Sequence, residues 1–160
     1  MDYTLKKSLG QHFLKDENVC LKIVDAIKEH SFTQLLEVGP GGGAITKYLL
    51  KIPGISFKAV ELDNEKVTFL EKAFPLLRGN IINENFLEID PPFADEFMVV
   101  GNFPYNISTQ ILFKVIEWKD KVPAVVGMFQ KEVADRAASK AGRVNIKQIF
   151  NIVKCLYQYT

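Results

Sequence analysis

Asn102-Phe103-Pro104-Tyr105 is the stretch of this chain richest in chemistry. An apolar run, Val99-Val100-Gly101, ends in an amide, and an aromatic-proline-aromatic turn leads to a helix signal at Ser108-Thr109. These residue types suit a planar heterocycle that carries an exocyclic amine. Tyr105 offers a ring on which a base stacks, worth roughly 1–3 kcal/mol. The Asn102 side-chain oxygen and the backbone carbonyl of Phe103 or Pro104 offer acceptors for the two amine protons. Holding both makes the nitrogen more tetrahedral and frees a lone pair that is otherwise delocalised into the ring. Pro104 has a fixed φ and no N–H, which stiffens the turn. No strong base is needed, because an alkylated nitrogen loses its proton to water after attack. Catalysis here is mainly alignment. A base stacked in a helix must first leave it, at a cost of a few kcal/mol, so a loop or chain end is the favoured substrate.

A second signal lies upstream, in Glu37-Val38-Gly39-Pro40-Gly41-Gly42-Gly43. Glycines at a strand-to-helix turn let a ligand lie against the backbone, and positive φ costs them little. Gly39-x-Gly41-x-x-Ala44 fits a dinucleotide-type fingerprint but does not by itself choose between NAD and S-adenosylmethionine. Glu61 follows Gly39 by 22 positions and ends the run Ala59-Val60-Glu61. A carboxylate there can accept both hydroxyls of an adenosine ribose. Glu37 has two readings: it orders the loop through backbone N–H groups, or it senses a cationic amino group. Asn85-Phe86 also has two: the amide reads an adenine edge with Phe86 beside it, or it makes an Asx turn next to a core Phe.

The elements that must position these residues alternate along the chain. Helices are expected over 16–30, capped by Asp16 with Val19, Ile23, Ala26 and Ile27 on one face, and over 44–51, 64–74, 108–118 and 131–139. In the third, Val67, Leu70 and Ala73 face inward and Pro75 ends the run. Strands are expected over 34–38, 57–62, 80–83, 97–101 and 124–129, with a loop at Pro91-Pro92. Strand–helix alternation predicts a mostly parallel sheet with helices on both faces, and the near-continuous apolar strands agree. In such a sheet ligands bind beyond the carboxyl ends of the strands, near the point where strand order reverses. The glycine loop, Glu61 and Asn102 all fall at strand carboxyl ends.

The chain has 160 residues, 48% of them hydrophobic and 24% charged, as in an ordinary globular domain. No apolar run approaches the roughly 20 residues of a membrane span, and the polar first residues carry no secretory signal. Cys20 and Cys155 have no metal-ligand spacing and read as reduced core residues, so no metal and a cytoplasmic location are expected. A net charge of +1 argues against wrapping long nucleic acid by bulk electrostatics. Contact with RNA must use local patches: Lys6, Lys7 and Lys15, or Lys131, Arg136, Lys140 and Arg143. His30 receives no functional reading.

Leu9-Gly10-Gln11-His12-Phe13-Leu14, Glu37-Val38-Gly39-Pro40-Gly41, Gly101-Asn102-Phe103-Pro104-Tyr105-Asn106-Ile107-Ser108 and Gln130-Lys131-Glu132-Val133-Ala134 resemble the KsgA-type ribosomal RNA adenine dimethyltransferases. The resemblance runs over about residues 6–140. It implies a Rossmann-like domain that uses S-adenosylmethionine to dimethylate N6 of two adjacent adenosines. Those lie in a hairpin loop near the 3′ end of small-subunit ribosomal RNA, in the immature subunit. It places His12 and Leu14 over the cofactor, Gly39 and Gly41 at its amino-acid end, Glu61 on the ribose, Asn85 on the adenine and Asn102 at the methyl end. His12 stands where the family often has Asn, and Asn85 where Asp is usual. The family continues into further strands and a helical C-terminal domain, whereas Ala141-Gly142-Arg143-Val144-Asn145 does not match its pattern. The expectation is one monomeric methyltransferase domain over 1–160, its C-terminal end truncated and the helical domain absent. A last helix is placed through Ile146 and Leu156. Rival readings are the antibiotic-resistance methyltransferases of large-subunit ribosomal RNA, a binding module without turnover, and an NAD oxidoreductase. No His or Lys is placed for hydride chemistry.

Overall fold

A computed structural model describes residues 16–103 and 106–129. Its elements run α1 (Glu17–Lys28), β1 (Gln34–Val38), α2 (Thr46–Leu49), β2 (Ser56–Val60), α3 (Asn64–Ala73), β3 (Ile81–Ile82), β4 (Met98–Asn102), α4 (Ser108–Glu117) and β5 (Val125–Met128). The five strands form one parallel sheet in the order β3-β2-β1-β4-β5. The chain thus moves outward from β1 to β3 and returns to the other side of β1 as β4, with β5 beyond it. Strand order reverses between β1 and β4.

Side-chain alternation divides the core into two layers. Leu36, Val38, Val60, Val99 and Val125 face one side, where they meet Ile111, Leu112 and Val115 of α4 and an aromatic group of Phe86, Phe93, Phe97 and Trp118. Leu35, Met98, Val100 and Val126 face the other, against Cys20, Ile23, Val24 and Ile27 of α1 and Leu49 of α2. Helices cover both faces, as the continuous apolar strands require.

Local signals set the boundaries. The Asp16 side chain accepts the Asn18 N–H at 2.9 Å and caps α1, as expected. Asp63 does the same for α3 through Glu65 N at 3.0 Å. Pro75 ends α3 and opens a single 3-10 turn, Pro75–Leu77. The inward face of α3 is Lys66 and Leu70; Ala73, expected there, is exposed. The helix expected over 44–51 shrinks to one regular turn. Gly41 and Gly43 hold φ of +59° and +85°, which keeps right-handed helix from beginning before residue 44. The sites expected at His12, Leu14, Pro104 and Tyr105, both basic patches, Cys155 and the helices after residue 130 lie outside the described residues.

Candidate functional site

The carboxyl edge of the sheet gathers the sequence motifs. Glu37 of β1 pairs with Val100 of β4. Two residues further along each strand stand Gly39 and Asn102, so the glycine loop and the amide meet at the reversal point. Val38 pairs with Val60 of β2, which puts Glu61 beside the loop on the other flank. Val60 pairs with Ile82 of β3, and Asn85 lies three residues beyond.

The loop is fixed by its neighbours. Gly39 N donates to Val60 O at 2.9 Å, and Gly43 N to Pro40 O at 2.9 Å. Gly41 N donates to Glu61 Oε2 at 3.2 Å, and Glu61 Oε1 accepts from Asp63 N at 3.0 Å. Glu61 is buried, and each of its oxygens holds one backbone N–H. A carboxylate oxygen has a second lone pair, so the group keeps acceptor capacity for hydroxyls while it shapes the loop. Among the described residues, no atom lies within 4 Å of where a Cβ on Gly39 would stand, and one on Gly41 would meet only a backbone oxygen, at 3.9 Å. The glycines therefore leave an open floor. Of the two readings of Glu37, hydrogen bonding favours an internal role with a different partner: Oε2 accepts the Thr46 hydroxyl at 2.6 Å, with both residues buried. Burial pushes the Glu37 carboxyl up to about 8; the Thr46 bond opposes this and the Glu61 carboxylate adds to it. At neutral pH the carboxyl is largely protonated.

Asn102 closes β4, half-buried, with its backbone paired to Met128 of β5. Alternation puts its side chain on the α1/α2 face, the face of Glu37. Phe103 goes the other way. Its ring is buried in the core, 4.7 Å from the Phe129 ring. It folds back over Gly101 and Gly127, where an added Cβ would stand 3.0 Å and 2.3 Å from the ring. Whatever Phe103 offers a ligand comes from its backbone carbonyl.

Asn85 makes the Asx turn. Its Oδ1 accepts Leu87 N at 3.1 Å and opens a 3-10 turn, Phe86–Glu88. Phe86 packs edge-on against Trp118 at 5.3 Å in the core, as the reading of an Asx turn next to a core Phe has it.

Four contributors carried no readable sequence signal: Thr46, Asn83, Gly127 and Phe74. Asn83 Nδ2 donates to the carbonyls of Glu61 at 2.9 Å and Leu62 at 3.3 Å, tying the end of β2 to the loop after β3. A Cβ on Gly43 would meet the Phe74 ring at 2.4 Å, so α3 abuts the loop there. Among the described residues no group of three or more His, Cys, Asp or Glu can hold a metal ion, and no helix is long and apolar enough to cross a membrane.

The chain matches the family model described as ribosomal RNA adenine dimethylase over residues 3–149. It is 49% identical over 140 residues to Ribosomal RNA small subunit methyltransferase A of Cytophaga hutchinsonii, covering 86% of this chain and 54% of that protein. The chain spans about half the length of the curated relatives it matches. Among solved structures, the 23S rRNA methyltransferase ErmE superposes with a TM-score of 0.69 at 26% identity, over 82% of this chain and 53% of that one. A dimethyladenosine transferase from Plasmodium falciparum gives 0.66 at 29%, over 82% and 48%. The plantazolicin methyltransferase BpumL, crystallised with SAH, shares the fold at 13% identity and a TM-score of 0.50, over 82% and 51%.

Proposed function

Because the chain belongs to the ribosomal RNA adenine dimethylase family, we propose that it is the cofactor-binding and catalytic domain of a small-subunit ribosomal RNA dimethyltransferase. It moves methyl groups from S-adenosylmethionine to N6 of two adjacent adenosines in a 3′-terminal hairpin loop of the immature subunit, as a monomer in the cytoplasm. One observation carries the reading. The glycine loop, Glu61 and Asn102 meet at one edge of the sheet, across the point where strand order reverses.

The residues present fit the cofactor. Gly39 and Gly41 leave space against the backbone, and Glu61 keeps acceptor capacity beside that space. His12 and Leu14 are assigned above the same floor, and Asn85 at its far end. When bound, the sulfonium supplies an electrophilic methyl carbon. The protein does the rest by position. The Asn102 oxygen and a backbone carbonyl at Phe103 or Pro104 accept the two N6 protons. Tyr105 stacks on the base. A buried Phe103 ring holds the backbone that follows Asn102. Precise placement of this kind supplies most of a transfer's acceleration.

A 49% identical relative named for the small subunit favours that substrate over the large-subunit RNA of ErmE, which is 26% identical. The test is transfer of a radiolabelled methyl group to unmodified small subunits, alongside protein-free large-subunit RNA. Labelling of adenosine N6 in the small subunit is expected. Preferential labelling of the large-subunit RNA overturns the substrate assignment. Cofactor binding without transfer to either reduces the chain to a binding module.

A further inference from the structure

We infer that Glu88, rather than the Asn85 amide oxygen, accepts the exocyclic amine of the cofactor's adenine. The inference rests on the cofactor reading above and concerns the far end of the same site. Moving outward from the reversal point, the strand ends carry the glycine loop, then Glu61, then Asn85. A nucleoside whose ribose meets Glu61 extends its base toward Asn85.

Hydrogen bonding fixes which way the Asn85 amide faces. The Leu87 N–H needs an acceptor, and Asn85 Oδ1 supplies it at 3.1 Å. The amide nitrogen therefore faces outward, where Nδ2 donates to Glu88 Oε1 at 3.3 Å. An aspartate in the same cap would spend one oxygen on Leu87 and present the other outward as an acceptor. Asparagine at this position inverts the outward polarity from acceptor to donor. The exocyclic amine of adenine is itself a donor, so Nδ2 opposes it and suits the neighbouring ring nitrogen instead. Glu88, one hydrogen bond away, returns an acceptor to that edge.

The turn that carries Glu88 is well anchored. Glu88 N donates to Asn85 O at 2.9 Å, and Phe86, between them, is buried against Trp118. The Glu88 side chain is exposed, so a ligand can reach it and its removal leaves the core intact.

The experiment is calorimetric binding of S-adenosylhomocysteine and of S-inosylhomocysteine, whose base carries a carbonyl in place of the amine. Glu88→Ala in the full chain is expected to weaken S-adenosylhomocysteine about tenfold, the scale of one hydrogen bond to a charged group, and to leave S-inosylhomocysteine within about twofold. Asn85→Asp added to Glu88→Ala is expected to restore the lost affinity. Equal loss for both ligands, no loss for either, or failure of the aspartate to restore binding overturns the inference while the cofactor reading stands. Absence of S-adenosylhomocysteine binding by the unaltered chain overturns both.

Discussion

Glu37→Gln is expected to make the folded protein less sensitive to alkaline pH, and by a calculable amount. Glu37 is buried near the end of β1, where it accepts the Thr46 hydroxyl and has Glu61 nearby. Its carboxyl is raised to about 8 in the folded chain, against about 4.3 for an unfolded glutamate. The folded state therefore holds a proton that the unfolded state has released. Below about pH 4.3 both states are protonated and nothing is lost. Between there and about pH 8 stability falls as pH rises, with a slope approaching 1.4 kcal/mol per pH unit. From pH 5.5 to pH 8 this amounts to about 3 kcal/mol. A glutamine keeps an oxygen for the Thr46 hydroxyl and has no proton to lose, so its contribution is flat. Urea titrations followed by the fluorescence of buried Trp118 would give the unfolding free energy of both proteins at each pH. The difference between the two proteins isolates the Glu37 contribution from that of groups far from it. The variant should gain on the wild type by about 3 kcal/mol across that interval. Parallel pH profiles would refute the claim that Glu37 is held neutral.

Three further outcomes follow from the same geometry. Glu61→Ala removes the partner of Gly41 N and Asp63 N along with the carboxylate proposed for the ribose. It should weaken S-adenosylhomocysteine by tenfold or more in calorimetry, since hydrogen bonds to a charged group contribute about 1.5–3 kcal/mol each; unchanged affinity would count against its assignment. Asn102→Ala should abolish methyl transfer in a radiolabel assay and leave most of the cofactor affinity in place, and normal transfer by this variant would dismiss the amine-acceptor mechanism. Gly127→Ala drives a methyl to within 2.3 Å of Gly101 O and of the Phe103 ring. Overpacking of that kind costs about 1–3 kcal/mol, visible as a lowered urea midpoint. It should also impair transfer more than cofactor binding, because the ring it displaces anchors the residue after Asn102.

Legibility followed the range of the interactions concerned. Strand–helix alternation gave the parallel sheet and both covered faces, because burial on two sides writes itself into consecutive residues such as Val99-Val100 and Val125-Val126. The Asp16 and Asp63 caps are local as well, formed with residues two positions away. What stayed hidden depends on groups far apart in the chain. Thr46 looks like any helix residue until the sheet brings Glu37 beneath it. Gly127 looks like a weak spot in β5 until Phe103, from the next strand, needs its space. Phe103 stands in the motif richest in chemistry, but only packing shows that its ring serves the core. Glu61 teaches the same point from the opposite side. Its strand-end position marked it as a ligand carboxylate, and the structure adds that it also builds the loop against which that ligand would rest, through Gly41 N. A residue with both duties cannot be tested by activity alone, since its loss removes the floor together with the contact. Separating them needs Asn83→Ala, which loosens the Glu61 backbone carbonyl and leaves the carboxylate in place. If strand-end geometry governs affinity, that variant should weaken S-adenosylhomocysteine by a few-fold, the scale of one neutral hydrogen bond at about 1 kcal/mol. If only the carboxylate matters, its affinity will match the wild type.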